Sequence, residues 1–406
     1  MTHWLTLALV MVTAVFGPSG PASADVGLQP VGGAAARTRL GIDVLAGDSA
    51  HLIAGLRLGL ITNRASVDAR GVATIDRLAR DSATRLVMLF APEHGLRALA
   101  PPGAAVSDTV DAATGLPIYS LYGASRAPTR AQLERIDAIV VDLQDVGARP
   151  YTWSVTMVAA MRAARAAGKR VIVLDRPNPV GGCVVQGPVL DSALVSAVGA
   201  LPVPLRHGMT LGELARFANV ELGIGADLVV VPVEGWRRCE RWDRTGLPWL
   251  APSPNLPDLG SVVWYPGTVL FEGTNLSVGR GTDAPFRQVG APWLDAPAVA
   301  RAMRARYGLR LDTLTSAPAS PGDGKFAGRP VRFVRLPGYA GREAADPVAT
   351  ALRLLDVIEC LHPDSLRVDS TSFARHLGVR RRDHQVAWRA EARRFLVRRA
   401  PYLLYR

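Results

Sequence analysis

The chain is predicted to adopt an α/β fold, a Rossmann-like parallel sheet with helices on both faces followed by a smaller C-terminal α+β domain. Three observations carry this. From about Leu40 short β-branched runs alternate with amphipathic stretches, as in βαβ units. Successive strand candidates each run into a cluster of polar residues. Beyond about Trp236 the texture changes to Trp-, Pro- and Gly-rich segments, and then to mixed helical and strand patterns.

The strand candidates are residues 56–62, 85–91, 138–143, 170–174 and 227–233. Between them residues 73–81, 129–135, 154–167 and 211–222 carry apolar side chains at helical spacing. Thr152 or Ser154 can open the third helix, and Gly168 closes it as a residue tolerant of the left-handed conformation. Residues 236–292 read as loop-rich and built over the sheet. The remainder mixes a helix at 348–360 with a strand at 331–336. The organisation is therefore a leader over residues 1–24, a Gly/Ala/Pro-rich linker over 25–39, a Rossmann-like domain over 40–235, and a loop-rich region with the smaller domain over 236–406.

With 406 residues, 49% hydrophobic and 20% charged, the chain can bury a large core, which excludes global disorder. Residues 1–16 form an apolar run flanked by Gly17, Pro18 and Gly20, and Ala22-Ser23-Ala24 supplies the small residues of a cleavage site. The expectation is a signal peptide and an exported, periplasmic or extracellular protein. The run is shorter than the roughly 20 residues of a membrane span, so no stable span is expected in the mature chain. An uncleaved anchor is the alternative, because the leader carries neither Lys nor Arg before its apolar run.

Three cysteines, Cys183, Cys239 and Cys360, allow at most one internal disulfide, and their spacing excludes a CxxC motif. The net charge of +12 is almost wholly arginine, since Lys169 and Lys325 are the only lysines. In an exported protein this suits wall polymers or carboxylated sugars better than nucleic acid. An arginine-rich genome bias together with solvated helix faces explains most of it.

In an open parallel sheet, ligands bind outside the carboxyl ends of the strands. The clusters there are Thr62-Asn63-Arg64, Pro92-Glu93-His94-Gly95, Asp142-Leu143-Gln144-Asp145 and Asp175-Arg176-Pro177-Asn178. The first strand is followed by no GxGxxG and the chain has no Walker motif, which disfavours a nucleotide. GxSxG, SxxK and HExxH are absent too, disfavouring serine and zinc hydrolysis. Carboxylates with arginines, amides and aromatics remain, the composition of a sugar site. The middle region adds Glu272, Asn275 and Arg280 among glycines that would let backbone approach a ligand; Glu272 could instead cap a turn, Asn275 form an Asx turn and Arg280 pair with Asp283.

The motifs GLRLGLITNRAS, APEHGLR, GLPIYSLYG, VDLQDVGARPYTW, LDRPNPVGG, RHGMTLGELARF, WYPGT, FEGTNLSVGRGT and GAPWLD follow in order between Gly55 and Asp295. In these the chain resembles the NamZ-like exo-β-N-acetylmuramidase family, a glycoside hydrolase family formerly catalogued as a domain of unknown function. The resemblance runs from about Leu40 to Asp295 and continues weakly to Tyr402-Leu403-Leu404-Tyr405. It implies two domains with the active site in the cleft between them, and release of terminal N-acetylmuramic acid from peptidoglycan fragments without metal or organic cofactor. A non-catalytic wall-binding protein and an exo-glycosidase for another amino sugar are the alternatives.

By motif Glu93 matches the catalytic glutamate, and Glu272 is the second candidate. A glutamate in a cleft wall of low polarity can protonate the leaving oxygen, and His94 with Asp142 or Asp145 could tune it. The substrate's lactyl carboxylate would want an arginine, for which Arg149, Arg176, Arg206 and Arg280 stand open by motif position. Asn63, Tyr151, Asp175, Asn178, His207 and Asn275 complete the expected substrate-binding set.

Overall fold

Alternation along three central strands sends side chains to two separate cores, which makes this a sheet covered on both faces. Leu58, Leu60, Ala138, Val140, Ile172 and Leu174 enter one apolar cluster. Their neighbours Ile61, Ile139, Val141, Val171 and Val173 enter the other. The computed structural model describes residues 38–93, 95–96, 108–123, 126–339, 346–380 and 385–406. The expected signal peptide, most of the expected linker, and His94 lie outside the described residues.

The strands are β1 (Arg57–Thr62), β2 (Arg85–Ala91), β3 (Thr109–Val110), β4 (Pro117–Ser120), β5 (Ala138–Asp142), β6 (Arg170–Leu174), β7 (Gln186–Val189), β8 (Pro204–Arg206), β9 (Leu228–Val231), β10 (Gln288–Ala291), β11 (Asp312–Ser316) and β12 (Val331–Arg335). The helices are α1 (Gly41–Leu45), α2 (Thr74–Arg80), α3 (Arg130–Glu134), α4 (Trp153–Ala166), α5 (Leu211–Glu221), α6 (Leu259–Thr268), α7 (Ala296–Tyr307), α8 (Pro347–Leu361), α9 (Ser370–Leu377) and α10 (Gln385–Arg399).

The seven-stranded sheet has the order β3-β4-β2-β1-β5-β6-β9, parallel except for β3. The chain moves outward from β1 through β2 and β4, then crosses to β5 on the other side. This reversal places the ends of β2 and β5 on either side of β1. A three-stranded antiparallel sheet, β10-β12-β11, belongs to the smaller C-terminal part. The α/β class and the smaller second domain therefore stand as predicted.

The middle stretch departs from its loop-rich reading. Residues 259–268 form α6, opened by the Asp258 carboxylate accepting from the Ser261 amide at 2.7 Å, and every residue from Gly260 to Thr268 is buried. Pro266 and Gly267 look like helix breakers, but tertiary packing overrides the local preference. Gly267 is required by helix packing: a Cβ there would stand 1.9 Å from the Pro347 carbonyl oxygen at the start of α8. The expectation that glycines of this region approach a ligand gives way, at this position, to close approach between two helices.

Cys183 and Cys239 form a disulfide with Cα atoms 4.9 Å apart, and Cys360 is free and exposed. The C-terminus returns to the parallel sheet. Tyr405 donates its hydroxyl to Asp175 at 2.5 Å and accepts from the Val233 amide at 2.9 Å, while the Leu404 amide donates to Glu213 at 2.8 Å. Asp175 also accepts from the Thr210 hydroxyl and the Gly212 amide.

Burial pushes the Asp175 carboxyl up to about 6, against the opposing hydrogen bonds from Thr210 and Tyr405. The folded chain thus holds this proton more tightly than the unfolded chain. Stability from Asp175 is full below its ordinary carboxylate range and is lost as pH rises through about 6. In denaturant titrations, the stability of the parent relative to Asp175→Asn is expected to fall by roughly 2–3 kcal/mol between about pH 4 and about pH 6.5. A difference that is flat or grows with pH would refute this assignment.

Candidate active site

Glu93 stands on a tight turn just beyond β2. The Gly95 amide donates to the Pro92 carbonyl at 3.0 Å, and Gly95 holds φ at +74°, which only glycine adopts readily. The Thr152 hydroxyl donates to Glu93 Oε2 at 2.9 Å. Thr152 occupies the N-cap position of α4 but makes no side-chain cap, so its hydroxyl serves Glu93 instead. Gly168, with φ of +64°, closes that helix as predicted.

Glu93 and Thr152 line a pocket with Tyr151, Trp153, Ser253 and Leu256 from the parallel-sheet side. Tyr265, Arg280 and Phe286 complete its lining. The aromatic wall is a chain of edge-on contacts: Tyr151 to Trp153 at 4.7 Å, Tyr151 to Tyr265 at 5.9 Å, and Tyr265 to Phe286 at 4.7 Å. Phe286 holds a positive φ of 58°, uncommon for a bulky residue, and its ring lies 4.9 Å from the Arg280 guanidinium carbon. The Tyr151 hydroxyl is buried with no hydrogen-bond partner among the described residues. Burial, reinforced by nearby Asp145 and Glu93, holds this phenol well above its ordinary value, so it remains a donor.

Glu272 stands behind Arg280. Its Oε1 accepts from Arg280 Nε at 2.8 Å and Nη2 at 2.5 Å, and His376 Nε2 lies 3.7 Å from Oε2. Burial raises the Glu272 carboxyl, but Arg280, His376 and Lys325 outweigh it and hold the group below its ordinary value. Lys325 also fixes the chain beside Glu272, its ammonium donating to the carbonyls of Thr274 at 2.7 Å, Leu276 at 3.0 Å and Phe271 at 3.4 Å.

Of the expected site residues, the structure gathers Glu93, Tyr151 and Arg280 at one pocket, with Glu272 directly behind. The other expected residues that the structure describes are engaged within the protein. Asp142 pairs with Arg176 at 2.5 and 2.9 Å, and Arg176 also donates to the Val67 carbonyl. Asn63 donates to the Pro252 carbonyl and accepts from Ala65, and Asn178 bonds Met209 and Val180. Asn275 joins Ser365 and Arg367, and Asp175 accepts from the Tyr405 hydroxyl. Arg206 donates to the Val180 carbonyl and to Gln186. Asp145 accepts from the Gly147 amide at 2.6 Å and lies 3.5 Å from His207 Nε2.

Arg149 is fully buried and donates to the carbonyls of Pro188, Val203 and His376, at 3.0, 3.0 and 2.9 Å. The residues outside the expected set are Thr152, Trp153, Ser253, Leu256, Tyr265, Phe286, Lys325 and His376. Trp153 and Tyr265 lie inside recognised motifs. Thr152 was visible as a helix opener, whereas nothing local in the sequence marks His376.

Gly378 has φ of +91°, and a Cβ there would stand 2.4 Å from Arg149 Nη2. Gly378→Ala is therefore expected to lower stability by roughly 1–3 kcal/mol, read as the shift of a denaturation midpoint. A midpoint equal to the parent's would show that the segment after α9 is not locked against Arg149.

Comparison with known proteins accounts for both parts of this arrangement. The family model described as exo-beta-N-acetylmuramidase NamZ, N-terminal, matches residues 58–260, and its C-terminal counterpart matches residues 263–405. The peptidoglycan beta-N-acetylmuramidase NamZ of Bacillus subtilis (strain 168) is 41% identical over 335 residues, covering 82% of this chain and 80% of that protein. Two crystal structures of DUF1343 family proteins from Bacteroides fragilis NCTC 9343 each cover 91% of this chain, with 99% of their own length matched. They are 31% and 30% identical, with TM-scores of 0.82 and 0.68. The two matched segments meet inside α6, so Glu93, Tyr151, Thr152 and Ser253 come from the first, and Tyr265, Arg280 and Phe286 from the second. The chain thus belongs to the exo-β-N-acetylmuramidase NamZ family.

Proposed function

We propose that this protein is an exo-acting glycoside hydrolase that releases N-acetylmuramic acid from the non-reducing end of peptidoglycan fragments, with Glu93 as the general acid. The observation that carries this reading is the setting of Glu93, a carboxyl at a strand end inside an aromatic-walled pocket, held among the described residues by one hydroxyl. Tyr151, Trp153, Tyr265 and Phe286 offer apolar surface for a sugar ring, and the unpartnered Tyr151 hydroxyl offers a donor. Thr152 can donate to the Glu93 carboxylate and accept from the Glu93 acid, so it follows the group through both protonation states. That suits a residue that gives a proton to the glycosidic oxygen and later recovers one.

The same reading places the mature protein outside the cytoplasm. The apolar leader of residues 1–24 supports export, as does the Cys183–Cys239 disulfide, a bond that persists in oxidising compartments. Among the described residues no helix is long and apolar enough to cross a membrane.

The test is to incubate the purified chain with a disaccharide bearing N-acetylmuramic acid at its non-reducing end, and with the isomer bearing N-acetylglucosamine there, and to identify released monosaccharides by mass. Release of N-acetylmuramic acid from the first substrate alone is expected. Glu93→Gln should lower turnover about a thousandfold while retaining sugar binding. Binding with no sugar released from either substrate would contradict the hydrolase reading and favour a wall-binding protein.

A further inference from the structure

Four arginines stand in motif positions from which a lactyl carboxylate could be read, and the structure separates them. Arg149, Arg176 and Arg206 direct their terminal amino groups to backbone carbonyls, to Asp142 or to Gln186, and none of the three lines the pocket, although Nε of Arg149 and of Arg206 has no partner among the described residues. Arg280 alone among these four lines the pocket that holds Glu93. Its guanidinium offers two edges for bidentate binding. Glu272 takes Nε and one hydrogen of Nη2 on the first edge. The second edge, Nη1 with the remaining hydrogen of Nη2, has no partner among the described residues, and such an edge matches a carboxylate.

The surroundings fix the plane of that fork. The Phe286 ring supports the guanidinium from one face, at 4.9 Å. Glu272 is itself oriented by His376, whose Nε2 lies 3.7 Å from Oε2. Lys325 and the exposed Asp323 are further charges nearby, and Glu93 lines the same pocket. With its two oxygens facing Arg280 and His376, Glu272 is poorly placed to attack a sugar or activate water. It is well placed to aim Arg280.

We propose that Arg280 is the residue that reads the lactyl carboxylate of N-acetylmuramic acid, and that Glu272 is a positioning residue holding Arg280 rather than a second catalytic carboxyl. This rests on the muramidase reading for its ligand, and its first test needs no turnover. By calorimetry, the parent should bind free N-acetylmuramic acid about tenfold to a hundredfold more tightly than its lactyl methyl ester, the worth of a charge-assisted pair. Arg280→Gln should bring that ratio to about one. Arg280→Lys should fall between, because it keeps the charge and loses the fork. Equal affinity of the parent for acid and ester, or a preference that survives in Arg280→Gln, overturns the assignment even if the protein releases sugar. Failure to release sugar with the binding ratio intact would count against the hydrolase reading instead.

Glu272→Gln keeps an oxygen facing Arg280. On the N-acetylmuramic acid disaccharide it should raise KM by about tenfold or less with kcat nearly held, and it should lower the acid-to-ester ratio. A fall in kcat of about a thousandfold with KM unchanged would make Glu272 catalytic and overturn the positioning role.

Discussion

Arg149 carries its charge into the interior where no carboxylate among the described residues meets it, and the geometry of the pocket follows from how that charge is held. Burial lowers its guanidinium to about 9, and carbonyls of Pro188, Val203 and His376 take its hydrogen bonds. The first two belong to β7 and to the residue just before β8, in the segment matched by the N-terminal family domain. The third belongs to α9 in the C-terminal domain. Arg149 therefore clasps the two domains through backbone atoms, and the space it needs exists because residue 378 lacks a side chain. The His376 ring is held by its Nδ1, which lies 2.8 Å from the Ser372 carbonyl. That ring faces Glu272, Glu272 faces Arg280, and Arg280 forms a wall of the pocket opposite the β2 turn that presents Glu93.

The two glutamates singled out by motif end in contrasting environments. Glu93 meets a neutral hydroxyl at the mouth of the α4 helix, a partner that accommodates loss or gain of a proton. Glu272 is surrounded by Arg280, His376 and Lys325, which hold it as an anion. On the proposed reading, this division gives one carboxyl to proton transfer and keeps the other as fixed charge, as environment can assign roles to chemically identical groups. The aromatic wall between them, with two phenols kept protonated by burial, supplies neutral donors and apolar surface suited to a sugar.

Much of the fold was legible because a parallel sheet buried on both faces leaves a strong signature, β-branched runs at regular spacing with amphipathic helices between them. The predicted 85–91 and 170–174 coincide with β2 and β6. The helix α6 was not legible, since Trp264-Tyr265-Pro266-Gly267-Thr268 is apolar all round and carries two breakers; its helical state depends on packing against α8. The strand-end clusters were visible too, but sequence does not say whether a polar residue there faces a ligand or braces the sheet. Asp142 with Arg176, and Asp175 with Tyr405, do the bracing, whereas Glu93 reaches the pocket. His376 had no signal at all, because its place beside Glu272 is made by a contact between residues 104 positions apart.

On the proposed reading, the Glu93 pocket holds the terminal sugar with its glycosidic oxygen against residue 93. The most direct measurement is a crystal structure of Glu93→Gln soaked with the disaccharide ending in N-acetylmuramic acid. That sugar is expected between the Tyr151–Tyr265 wall and Arg280, with the glycosidic oxygen within about 3 Å of the residue 93 side chain. A disaccharide bound elsewhere on the protein, with this pocket empty, would contradict it.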